Sequence, residues 1–175
     1  MALHLARPFR TALMAGLIWL CLGSAQADVY DDVQRLIKRA QWPQAESLAN
    51  QHLKNHDQDP QMRLLLSRVQ EGLGQNDAAM STLLALTQAF PELAEPHNNL
   101  AALYARAGRY DDALTSLNRA ILARPDYATA LENLGDLHAA LAKQAYDRAA
   151  QATPTSSRPL TKAQALGQML QADPR

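Results

Sequence analysis

The stretch Ala94–Tyr127, AEPHNNLAALYARAGRYDDALTSLNRAILARPDY, decides how the whole chain is read. His97, Leu100, Ala101 and Tyr104 recur at helical spacing, so its first half predicts a helix with one buried face. Gly108 then supplies the backbone freedom for a turn. A second helix follows with Ala113, Leu117, Ala120 and Ile121 on its inner side, and Pro125, which has no amide to continue the ladder, ends it. Leu100 and Leu117 are the expected core residues.

The same residues return every 34 positions in both directions. Leu66, Leu100 and Leu134 keep that interval, as do Ala45, Ala79 and Ala113. So do the pairs Gly74 and Gly108, Asp77 and Asp111, Leu83 and Leu117, and Pro91 and Pro125. Six series at one period define a repeat array. A small residue stands beside each repeated leucine, namely Ser67, Ala101 and Gly135, where the second helix of each unit is expected to cross closest.

The Ala94 unit resembles the tetratricopeptide repeat, which has an aromatic, a Leu-Gly or Leu-Ala pair, a tyrosine, a glycine turn, an alanine, a bulky apolar residue, another alanine and a proline. His97, Leu100-Ala101, Tyr104, Gly108, Ala113, Leu117, Ala120 and Pro125 correspond in turn, with His97 replacing the aromatic. The unit Pro60–Leu93 matches through Leu66-Ser67, Gly74, Ala79, Leu83 and Pro91 and carries Gln70 at the tyrosine position. The unit from Asp28 to Asp59 keeps Ala45 and a turn aromatic, Trp42, equivalent to Tyr110. The resemblance implies an all-α, α-solenoid array of antiparallel helix pairs.

The fourth unit breaks the pattern. From Leu134 to Ala149 is 15 residues where Leu100 to Ala120 is 20, so the five residues of the Gly-Arg-Tyr-Asp-Asp turn are missing. The two helices are therefore expected to fuse into one of about 23 residues, Thr129 to Gln151, with Leu131, Leu134, His138, Leu141, Ala145 and Ala149 as its stripe. After a breaker from Thr153 to Pro159, Thr161 and Gln164 form a capping box that opens a short helix with Leu160, Leu166, Met169 and Leu170. That helix would cover the unpaired half of the fused one, as a solvating cap or as a partner-binding element.

Composition agrees. Beyond residue 27 there are 27 Ala and 23 Leu against 5 Val plus Ile, which favours helices over strands. Residues 1–27 read as a secretory signal: Arg7 and Arg10, eleven apolar residues from Ala12 to Leu22, and the small residues of Ala25-Gln26-Ala27. The apolar run is shorter than the roughly 20 residues that span a bilayer. Cleavage after Ala27 would leave 148 residues, 28–153 forming the repeat domain and 154–175 the linker and capping helix, exported to the periplasm without a stable membrane anchor. Cys21 would leave with the signal, and Ile18-Trp19-Leu20 before it lacks the small residue of a lipoprotein signal. The remaining chain, with 15 Lys/Arg and 17 Asp/Glu, is mildly acidic, which argues against nucleic acid.

Chemistry-bearing constellations are sparse. His52 and His56, four apart, read as a solvated surface pair with no further metal ligand at matching spacing. His97 and His138 occupy packing positions and read as half-buried structural histidines. No phosphate loop, GxSxG or HExxH motif is present, and neither a cofactor nor an enzymatic activity is implied.

In the tetratricopeptide family the first helices line a concave face that receives a peptide or a partner's helix. By resemblance that face comprises Tyr30, Gln34 and Lys38; Gln61, Leu64 and Arg68; Glu95, Asn98, Asn99, Ala102 and Arg106; and Thr129, Glu132, Asn133 and Asp136. Asn99 and Asn133 are 34 apart, and their amides can donate and accept, either to a bound backbone or in solvating the helix face. A carboxylate clamp of the chaperone type requires lysines where this chain has Tyr30, Glu95 and Asn99. The expected role is a non-enzymatic adaptor for another protein or peptide of the cell envelope, or an assembly subunit that uses the fused helix and tail.

Overall fold

The computed structural model describes residues 29–171, and the 1–27 signal lies outside them. Eight helices are found among the described residues: α1 over 29–38, α2 Trp42–Leu53, α3 Pro60–Gly72, α4 Asn76–Ala89, α5 Ala94–Arg106, α6 Tyr110–Ala123, α7 Ala128–Ala152 and α8 Ser157–Gln171. The chain divides into two compact units, one ending at Gln75 and one starting at Asn76. No described helix is long and apolar enough to cross a membrane.

The first unit packs α1, α2 and α3 around Val33, Ala45, Ala49, Met62, Leu65, Leu66 and Val69. Asp59 starts α3 by accepting from the Gln61 and Met62 amides at 3.0 and 3.1 Å, with Pro60 in the first turn where no amide is needed. Trp42 begins α2 and lies on Gly72 so closely that a Cβ there would sit 2.4 Å from the indole. That contact explains why α3 ends on a glycine.

The turns after α1, α3 and α5 close the same way. Gly74 and Gly108 take φ of +74° and +73°, and the next amide, of Gln75 or Arg109, bonds back to the carbonyl of Gln70 or Tyr104 at 2.8 or 2.9 Å. Ala40 adopts the same left-handed conformation 34 residues earlier, φ +54°, with Gln41 N–H donating to Leu36 O at 2.9 Å. An alanine pays a steric penalty there that glycine avoids. Ala40→Gly should therefore raise stability by about 0.5–1 kcal/mol, glycine's greater entropy loss offsetting part of the gain. Urea unfolding followed by Trp42 fluorescence would read it.

In the second unit α5 and α6 form a tight antiparallel pair, with α4 against α5 and α7 against α6. Ala101, Ala113, Leu117, Ala120, Ala130 and Leu137 form the core between α5, α6 and α7. The alanine series of the repeat, Ala45, Ala79 and Ala113, is fully buried at every position. Leu100 is 3% and Leu117 2% exposed.

The fused helix is present: α7 runs unbroken for 25 residues, about 38 Å. Its buried stripe differs from the expected one. Ala130 and Leu137 are buried and Leu134 and Leu141 pack on the core, whereas Leu131, His138, Ala145 and Ala149 are exposed. Ala130 and Leu137 repeat the buried positions Met62/Pro96 and Val69/Leu103, so α7 keeps that face in register, whereas Leu131, Gly135 and His138, which repeat His97, Ala101 and Tyr104, are left open because no helix returns over them. Gly135 is accordingly open, with nothing within 4 Å of an added Cβ, while Ser67 and Ala101 keep the expected burial. No second helix folds back over position 135.

The tail helix covers the outer half of α7, as its apolar residues predict, but starts earlier than the capping box. Helix α8 begins at Ser157, and Thr161, a turn inside, donates its hydroxyl to the Ser157 carbonyl at 3.1 Å. Pro159 falls in the first turn, where its missing amide costs nothing, so it does not break the helix. Ala163 is the buried contact of α8, and Gly167 lies against the Lys143 side chain.

Candidate functional site

A groove of about 360 Å³ opens in the second unit between α5, α7 and α8. Its floor is apolar: Ala101 and Ala105 from α5, Tyr110 and Leu117 from α6, Leu137 and Ala140 from α7. Small alanines supply the depth, because the same side chains that let α5 approach α6 closely leave room on their open side. The rim carries Ala102 and Arg106 on α5, Asn133 and Asp136 on α7, and Leu170 on α8. Four residues expected on the concave face, Ala102, Arg106, Asn133 and Asp136, are thus brought together. Leu170 was legible only as an apolar residue of the tail.

The asparagines behave differently from a ladder open to solvent. Asn98 is buried, and its side-chain oxygen accepts from the Asn133 amide at 2.7 Å, tying α5 to α7. Its own amide donates to the Asn99 oxygen at 3.4 Å, and Asn99 is half-buried. Asn98 therefore positions the groove wall from behind. Glu95, Thr129 and Glu132 are exposed. Burial, and then the nearby Glu95 carboxylate, push the Tyr127 phenol upward, while Arg124 lies 3.8 Å over its ring.

Tyr30, Gln34 and Arg68 belong to the first unit, with Gln34 half-buried and Arg68 exposed. Lys38 and Gln61 are exposed and Leu64 is half-buried. Tyr30 is committed to a polar cluster, donating its hydroxyl to Asp59. His52 Nε2–H donates to the same carboxylate oxygen at 2.7 Å, with the two side chains only 7% and 12% exposed. The solvated His pair is corrected accordingly: His52 is drawn inward by the carboxylate that caps α3. His56 stays exposed, stacked on it at 4.4 Å. Burial and the Asp59 bond raise the Tyr30 phenol to about 12. Burial alone would raise Asp59, but hydrogen bonds from Tyr30, the Met62 amide and His52 outweigh it and hold the carboxyl below its usual value. Among the described residues no group of three or more His, Cys, Asp or Glu is placed to hold a metal.

His97 is more buried than expected, 2% exposed, and donates Nε2–H to the Pro91 carbonyl at 3.1 Å, pinning the α4–α5 connection. Burial holds its pKa below the ordinary histidine value. His138, by contrast, is exposed on α7, since it lies on the face that a returning helix would have covered.

Helices joined by left-handed turns 34 residues apart, with a groove beside α5, define a repeat protein of the α-solenoid class. Two family models match, tetratricopeptide repeat over residues 30–94 and TPR repeat over 103–141, and the chain belongs to the tetratricopeptide-repeat family. No curated protein matches it. Among solved structures it is similar to a chain of Naa15/Naa10 bound to HypK-THB, at 16% identity and TM-score 0.58, covering 85% of this chain and 23% of that one. It is similar to YrrB, a TPR protein with an unusual peptide-binding site, at 26% identity and TM-score 0.55, covering 59% of this chain and 54% of that one. The first TPR of Spaghetti (RPAP3), bound to the HSP90 peptide SRMEEVD, aligns at 13% identity and TM-score 0.61 over 66% of this chain and 92% of that one. The chain thus spans about a quarter and about half of the first two.

Proposed function

We propose that the protein is a non-enzymatic adaptor of the cell envelope, exported by its 1–27 leader, that holds a peptide or helix of another envelope protein in the α5–α7 groove. The groove itself carries the reading: an apolar floor deep enough for a side chain, edged by Arg106, Asn133 and Asp136, which suits a segment with an apolar anchor between polar neighbours. Peptide binding by YrrB and by the Spaghetti domain supports the same use of the fold. Family members are generally adaptors without catalysis, in keeping with a role in binding. The leader sequence supports export.

A photo-crosslinking residue at Ala102 should trap a partner in intact envelopes, whereas one at Leu122, 83% exposed on α6, should not. Equal trapping from both positions would sink the groove reading. The second reading, an assembly subunit, is favoured by Leu160 and Met169, 49% and 53% exposed on α8. It predicts trapping from position 169 and none from 102.

A further inference from the structure

We infer that Leu170, outside the repeat pattern, is a specificity-determining wall of the groove: the C-terminal helix sets how large an apolar anchor a bound peptide can insert. The inference rests on the groove reading above. The apolar lining supplied by α5 is all alanine, and Leu170 is the one contribution of α8. That helix is anchored on α7, by buried Ala163 and by Gly167 against Lys143, so the position of Leu170 is fixed from behind. Neighbouring residues on a helix point about 100° apart, and while Met169 faces outward Leu170 turns toward the groove. The occupant that fits is a peptide with one large aliphatic side chain between polar neighbours, its anchor seated on the apolar floor of Ala101, Ala105, Leu117 and Leu137.

The test uses two blocked, fluorescein-labelled peptides of sequence SESXSKS, with X leucine or tryptophan, titrated by anisotropy into the parent, Leu170→Ala, Leu170→Trp and Met169→Ala. Removing the isobutyl group deepens the groove, so Leu170→Ala should shift the tryptophan-to-leucine affinity ratio at least about fivefold toward tryptophan. Leu170→Trp should weaken both peptides about tenfold or more by filling the space. Met169→Ala should leave the ratio within about twofold of the parent, as expected for an outward-facing neighbour. Circular dichroism confirms that each variant is helical, and Leu170→Trp retains the apolar contact should Leu170→Ala unfold. A parent that binds the peptides with a ratio unmoved by either Leu170 variant overturns the wall assignment and leaves the groove reading standing. A parent that binds neither peptide overturns the groove reading, and this inference with it.

Discussion

Leu117→Ala is expected to lower the unfolding free energy by about 2–5 kcal/mol. Leu117 is 2% exposed and belongs to a cluster with Ala101, Ala113, Ala120, Ala130 and Leu137, against which larger half-buried side chains such as Tyr104, Tyr110 and Leu134 pack. Alanines have no side chain to swing into a void, and the helix backbones behind them are fixed by their own hydrogen bonds. How far the larger side chains at the edge of the cluster close over the space sets where in that range the cost falls. Leu122→Ala is the matched control on the same helix. Its side chain is 83% exposed, so the same chemical change should cost less than about 0.5 kcal/mol. Thermal and urea unfolding by circular dichroism measure both, and a loss below about 0.5 kcal/mol for Leu117→Ala would undo the repeat register.

Asp59→Ala is the second large effect, about 2–4 kcal/mol. One carboxylate caps two amides of α3, accepts from Tyr30 and pairs with His52, so its removal leaves a helix end and two mostly buried donors without partners. Asp59→Asn keeps a good capping side chain and should retain part of the loss, separating cap from charge. The pH dependence has a definite sign. The folded carboxyl titrates below 3.8, so the unfolded chain takes up its proton first as pH falls. The stabilisation is complete at neutral pH and is lost as pH drops through 3.8 toward the folded value. The difference between parent and Asp59→Ala should therefore shrink between pH 5 and pH 3. Trp42, the one tryptophan beyond residue 27, reports it from within the same unit.

Much of this was open to reading in the chain itself. The asparagine partnership was not, because Asn98 and Asn133 are 35 apart, one residue off the repeat, and periodicity drew attention to Asn99 instead. Asp59 carries a local signal: an acidic residue directly before a proline and an apolar helical run is an N-terminal cap signature. Its bonds to Tyr30 and His52 join three helices and have no such signal.

By itself, the sequence determined the helix pairs, their turns and the fusion of the fourth unit. Those follow from helix-forming alanine and leucine, a period of 34, glycines at the second and third turns and a deletion at the fourth, all of which act on backbone within a few residues. Tertiary structure alone decided how much of the expected α7 stripe stays open, where α8 begins, and that Leu170 reaches the groove. Those outcomes depend on which neighbour is available to exclude water from a given stripe, and once the repeat loses its returning helix the pattern no longer names that neighbour.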